Sequence, residues 1–358
     1  WDGRELPGIS ANPSTEELAG KYFLGHQQHE RDSMVNGRGT QKFVSLFDQQ
    51  RIDMENRAFD EDPDHTSIEH CSDFIVYEKD GVYNTRSPYV ERDYKAGKEY
   101  IVQRLKDIRR NDIRHSGPES IFRYFVQAGY PFVAAETNYS SMEILLAYLR
   151  GTKKGYSLPS IGIHHALQWS MPVASELTYR RFEVALKVAY MQGVDCINTE
   201  EGLWHVEQGF KSGHRFSAPC QKYIDIQHSF YNYVRSHSRQ GKFVTPFAVI
   251  TGINDIYEGK DQRHGLGWTD CTVGEDIQSW QLLKTFYPLS GDDWLYVCAT
   301  DAPKPFGFFT GTPHGNIDII PAESSVECYN RYDCMAFIGY NTAEKETFDK
   351  LETFVRKG

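Results

Sequence analysis

The feature that most constrains this chain is a rhythm between residues 117 and 255, where a helix-patterned stretch leads four times into a short apolar run. GPESIFRYFVQAG (117–129) leads to PFVAAETN (131–138), and SMEILLAYLRGTKKGY (141–156) leads to SIGIHHALQW (160–169). ASELTYRRFEVALKVAYMQG (174–193) leads to VDCINTEEG (194–202), and YIDIQHSFYNYVRSHSR (223–239) leads to PFAVITGIND (246–255). Gly or Pro stands at most of the helix-to-strand turns, and short apolar strands alternating with helices imply a parallel sheet covered by helices.

Two architectures satisfy such a rhythm, a closed (β/α)8 barrel and an open doubly wound sheet. The polar residues choose between them. Each strand end carries chemically active types: His26, His29 and Glu30; Glu136 and Asn138; His164, His165 and Trp169; Glu200, Glu201 and Trp204; Asn254, Asp255 and Glu258. A barrel gathers all such ends around one axis, whereas an open sheet uses those at its switch point, and no phosphate-binding Gly-rich loop follows any of these strands. The expected fold class is therefore α/β, with a (β/α)8 TIM barrel over residues 1–285. Residues 286–358 change in character, with strands at GNIDIIPAES (315–324) and YDCMAFIGYN (332–341) and a helix at 342–358 whose Phe348, Leu351 and Phe354/Val355 form a stripe. Asn341 and Glu344 read as a capping box for that helix. This partial Rossmann-like βαβα unit is too small to bury its own sheet, so it needs a partner surface.

A net charge of −10 argues against nucleic acid as a partner, because phosphate binding relies on clustered Lys and Arg. No apolar run reaches the roughly 18 residues of a membrane span, so no membrane partner is expected. The first residue is Trp rather than Met, which fits a processed leader and a secreted or periplasmic compartment. Seven Cys without CxxC spacing fit neither a disulfide scaffold nor a zinc site. No cofactor is expected, and assembly as a homo-oligomer is left open.

Two carboxylates on the ends of different strands suit acid/base work on a glycosidic bond, one protonating the leaving oxygen while the other attacks the anomeric carbon or activates water. Glu136 and Glu201 are the expected pair. Side chains alternate along a strand, so only one of Glu200 and Glu201 faces the pocket; Glu201 is assigned the chemistry and Glu200 its support. The bland reading makes the acids surface charges, with Thr137 or Asn138 an N-cap and Trp204 part of the core. His165 shares strand parity with Trp169, and Trp169 and Trp204 offer sugar-stacking faces, with His165 or Asn198 bonding a ring hydroxyl. His26 and Glu30 join the substrate-binding set. His26, His29 and Glu30 in HQQHE also suggest a metal, yet the run matches neither HExxH nor HxxEH, and no metal is expected.

The succession of RGTKKGYSLPSIGIHHALQW, a long helix, GVDCINTEEGLW, VTPFAVITG, FTGTPHGNIDIIPAES and YDCMAFIGYNTAEKETFDKLETFVRKG resembles the β-galactosidase-like glycoside hydrolases. In them a catalytic (β/α)8 barrel precedes a domain resembling class I glutamine amidotransferases. The resemblance covers about residues 120–358 and implies a retaining double displacement between two Glu. The family's acid/base usually follows an Asn, and its nucleophile lies three strands later; here Ala135 precedes Glu136, and a single strand separates it from the Glu201 strand. The expected function is a glycosidase acting on a poly- or oligosaccharide. The rivals are a non-catalytic glycan-binding barrel and a metal-dependent hydrolase centred on His26, His29 and Glu30.

Overall fold

The computed structural model describes residues 122–137, 141–167, 175–201, 218–253, 311–339 and 344–358. It also describes a few residues at 102–109 and 282–288, Phe309, and the backbone of four short strands near the N-terminus. Those strands are β1 (His26–His29), β2 (Tyr77–Lys79), β3 (Val82–Asn84) and β4 (Ile113–Gly117). β1 pairs in parallel with β4, and β2 with β3 forms an antiparallel hairpin.

The anticipated rhythm follows as α1 (Phe122–Gln127), β5 (Ala134–Thr137), α2 (Met142–Gly155), β6 (Gly162–His165), α3 (Glu176–Met191), β7 (Cys196–Thr199), α4 (Ala218–Ser236) and β8 (Phe247–Thr251). β9 (Ile317–Pro321), α5 (Val326–Tyr329), β10 (Cys334–Phe337) and α6 (Lys345–Lys357) complete the order. The local signals are conventional. Ser175 caps α3 by accepting from the Thr178 N–H at 3.1 Å, satisfying one of the orphan amides of the first turn. Gly129 and Gly193, both at positive φ, close the turns that lead from α1 and α3 back to the sheet.

All strands of the two main sheets run parallel: one has the order β5-β6-β7, the other β10-β8-β9. The fold is therefore mixed α/β with parallel sheets. The expected closed barrel is not found: among the described residues the ladders stay separate, as two three-stranded sheets and a two-stranded pair. β9 and β10, from the stretch after residue 285, flank the earlier strand β8. A unit too small to cover its own strands gains that cover by sharing β8.

The reason lies in α2. A helix on a barrel wall is half exposed, but α2 is buried from Met142 and from Ile144 through Thr152. Its apolar residues enter the same core as Val133 and Ile163 of the first sheet region and Ile317 and Ile319 of the second. An all-round buried helix belongs between two layers. Each of Leu145, Leu146 and Leu149 contributes about 1.5–3 kcal/mol by leaving water. Gly151 permits the close approach, since a Cβ there would overlap the Ile319 carbonyl oxygen.

The far face of the second sheet is closed by α5 and α6, where Tyr329, Leu351 and Phe354 pack with Ala248, Ile250 and Ile320. The expected α6 stripe is half right: Phe348 and Val355 are exposed. Glu344 is the N-cap residue, without a side-chain cap bond, so the helix begins later than a box starting at Asn341 requires. Asn341 itself lies outside the described residues.

Candidate functional site

The site grows from the register of β5, β6 and β7. Glu136 pairs with His164 and His164 with Asn198, while Thr137, His165 and Thr199 form the next row. Alternate residues of a strand face opposite sides, so the two rows look in opposite directions.

The Thr137 row faces the helices. Ala135 and Ile163, which share its parity, join the main core, and the His165 ring meets the Phe182 ring of α3 edge-on at 6.2 Å. Thr137 Oγ1 lies 2.7 Å from His165 Nδ1, and Thr199 Oγ1 donates to the His165 carbonyl at 3.1 Å. Burial holds the His165 imidazole neutral, with its pKa pulled down to about 3. His165, expected from the sequence to reach a sugar, is packed against the helix layer.

The opposite row begins with small residues. A Cβ on Gly162 would meet the Phe132 ring at 2.7 Å, so glycine makes room for that ring beneath the polar positions. Above it come Glu136, His164 and Asn198, with Glu200 two residues beyond Asn198 and of the same parity. One carboxylate oxygen each from Glu136 and Glu200 and one ring nitrogen of His164 all lie within 4.8 Å of one another. Glu136 is 2% exposed and His164 7%, while Glu200 is half-buried. Asn198 Nδ2 lies 2.7 Å from His164 Nδ1, tying the imidazole to the neighbouring strand.

The acid that joins Glu136 and His164 in this cluster is thus Glu200. β7 ends at Thr199, and its alternation carried one residue further keeps Glu200 in step with Asn198. Glu201 is also buried, and its backbone N–H donates to Thr199 Oγ1 at 2.9 Å. Cys196 is half-buried, and its pKa is raised by burial and by Asp195. Trp169, Trp204, Asn138 and Glu30 lie outside the described residues. His26 and His29 are described as backbone only, paired with Ile113 and Gly117.

Chemically, two carboxylates and an imidazole clustered this closely form an acid/base and nucleophile set, and equally a donor set for a divalent cation. No protein-family model matches the chain, and no curated protein matches it. Among solved structures it is similar to a polyextremophilic β-galactosidase from the Antarctic haloarchaeon Halorubrum lacusprofundi, at 11% identity and a TM-score of 0.45. That match covers 74% of this chain and 40% of the galactosidase chain, and it assigns no residue a role.

Proposed function

We propose that the protein is a glycoside hydrolase that works by a retaining double displacement, with Glu136 as acid/base and Glu200 as nucleophile. One observation carries this reading: the two carboxylates come within 4.8 Å at the carboxyl ends of parallel strands. Retaining pairs stand about 5–5.5 Å apart and inverting pairs about 6.5–9.5 Å, since an inverting pair must admit a water. The short spacing favours the covalent route. Glu136 protonates the glycosidic oxygen while Glu200 attacks the anomeric carbon; Glu136, now a carboxylate, then activates the water that releases the sugar. His164, held by Asn198, offers its imidazole to a ring hydroxyl. The substrate class is a poly- or oligosaccharide, met in a secreted or periplasmic setting.

The test is covalent trapping. A panel of activated 2-deoxy-2-fluoro glycosides is incubated with the full chain, and the labelled peptide is located by mass spectrometry. The expected result is one sugar on Glu200. A label on Glu201 would restore the assignment expected from the sequence, and no label together with no turnover of any aryl glycoside in the panel would overturn the reading.

A further inference from the structure

We propose that Glu136, His164 and Glu200 bind a divalent cation of the zinc class, and that the ion and a sugar exclude one another from this pocket. Glu136 and His164 belong to adjacent strands of one ladder, and Glu200 directly follows the third, where its N–H donates to the His165 carbonyl at 3.1 Å. An imidazole with two carboxylates suits a borderline ion such as Zn²⁺, whereas Mg²⁺ keeps several waters and takes oxygen ligands. Three protein donors with a fourth position left to water is the arrangement of an open zinc site. The donor atoms lie within 4.8 Å of one another. Tetrahedral zinc at bond lengths of about 2.0–2.2 Å needs donors roughly 3.4 Å apart. A small torsional adjustment of Glu200, the half-buried member, supplies that closure.

Two further features favour the ion. Where both carboxylates are ionised, a dication between them attracts each. The second feature is Asn198. Its Nδ2 faces His164 Nδ1, while its own Oδ1 is buried without a hydrogen-bond partner. Turning the side-chain amide over lets Oδ1 accept from Nδ1–H, which satisfies the buried oxygen and leaves the ring lone pair on Nε2. An outer hydrogen bond of that kind orients most metal-binding imidazoles. The neighbouring His165 sits in the opposite row against Thr137 and Phe182.

Binding does not depend on the glycosidase reading; its consequence does, because the ion would occupy both acids of the double displacement. The experiment is calorimetric titration of the chelator-treated full chain with ZnCl₂ alone. The expected result is one site of micromolar affinity, weakened at least about 10-fold in Asn198→Ala and more in His164→Gln and Glu200→Gln. His314→Gln, a change at an exposed histidine elsewhere, should leave it intact. Cobalt substitution of the unmodified chain gives an independent readout, with visible bands of a nitrogen and oxygen site expected. A thiolate charge-transfer band, zinc affinity unchanged in His164→Gln, or binding only at millimolar zinc would each overturn the proposal. Zinc should also slow labelling of Glu200 by the fluoro-glycoside. Zinc binding at this site without any labelling sinks the glycosidase reading alone, and labelling without zinc binding sinks this one alone.

Discussion

The two parallel sheets lie against the same helix, α2, and treat buried charge in opposite ways. In the sheet β10-β8-β9 the buried acid is Asp318, and its partners surround it. Arg150 Nε donates to Oδ1 at 2.8 Å, Thr245 Oγ1 and the Tyr332 hydroxyl donate to Oδ2 at 2.6 and 3.0 Å, and Lys154 also donates to Oδ2. Burial alone would raise the pKa of Asp318, but Arg150 and Lys154, with the Lys154 and Thr245 hydrogen bonds, bring it below the usual range. In the sheet β5-β6-β7 a buried Glu136 shares its pocket with a second carboxylate and an imidazole. A buried acid ringed by cations and hydroxyls ties two layers together; an acid set beside another acid and an imidazole is a set suited to proton transfer or ligand binding.

The largest expected contrast is between activity and stability. Glu200→Gln and Glu136→Gln should each lower turnover on the glycoside identified by trapping, Glu200→Gln by on the order of 10³-fold or more. Both should shift the urea midpoint far less than a change at Asp318 does. If either variant loses as much stability as a change at Asp318, Glu136 and Glu200 are structural charges and the contrast collapses. Asp318→Asn is the matching experiment on the other sheet. It leaves Arg150 buried opposite a neutral amide and should cost about 3–5 kcal/mol in urea unfolding. A loss below about 1 kcal/mol would mean that the network contributes no more than a surface pair.

A smaller effect tests the helix both sheets share. Gly→Ala inside a helix ordinarily gains about 0.5–1 kcal/mol. At Gly151 the new Cβ would run into the Ile319 carbonyl, a backbone atom that cannot step aside without moving β9. Overpacking typically costs about 1–3 kcal/mol, so the steric effect should win and Gly151→Ala should destabilise. A stabilised variant would mean that α2 does not lie directly on β9.

Much of this was written in local pattern. The apolar runs at 131–138, 160–169 and 246–255 contain β5, β6 and β8, and each intervening helix falls within a few residues of its expected place. The wedge position of α2 was less visible, although MEILLAYLRG carries apolar side chains around its whole circumference. The choice between neighbours at the site has a signal in the sequence. Ile163 and Ile197 mark the helix-facing parity of β6 and β7, which places His165 and Thr199 on that side and His164, Asn198 and Glu200 on the other. Which strands pair at long range, and whether the sheets close, depends on contacts between distant segments that no local window contains. The strand β4 is not legible in the sequence, because IRHSG is polar and lacks alternation.

The smallest expected effect separates the two rows of the first sheet through His165. In the unfolded chain an imidazole titrates near its ordinary value of about 6.5. In the fold it titrates at about 3, because burial disfavours the charged ring. Below the ordinary value the unfolded state therefore binds a proton that the folded state refuses. The contribution is complete above about pH 6.5 and is lost as the pH falls toward 3, at about 1.4 kcal/mol per pH unit once the unfolded imidazole is charged. Urea unfolding at pH 7, 6 and 5 should show wild-type stability falling across that window, and most carboxylates titrate lower, which leaves histidine dominant. His165→Gln starts less stable, since it leaves a space beside Phe182, but it should lose less between pH 6 and pH 5 by nearly the full single-proton slope. The difference between the two slopes is the measurement, because it cancels the chain's other histidines. Equal slopes would mean that His165 accepts its proton while folded, which would place it in a polar pocket and return it to the set of residues that meet the substrate.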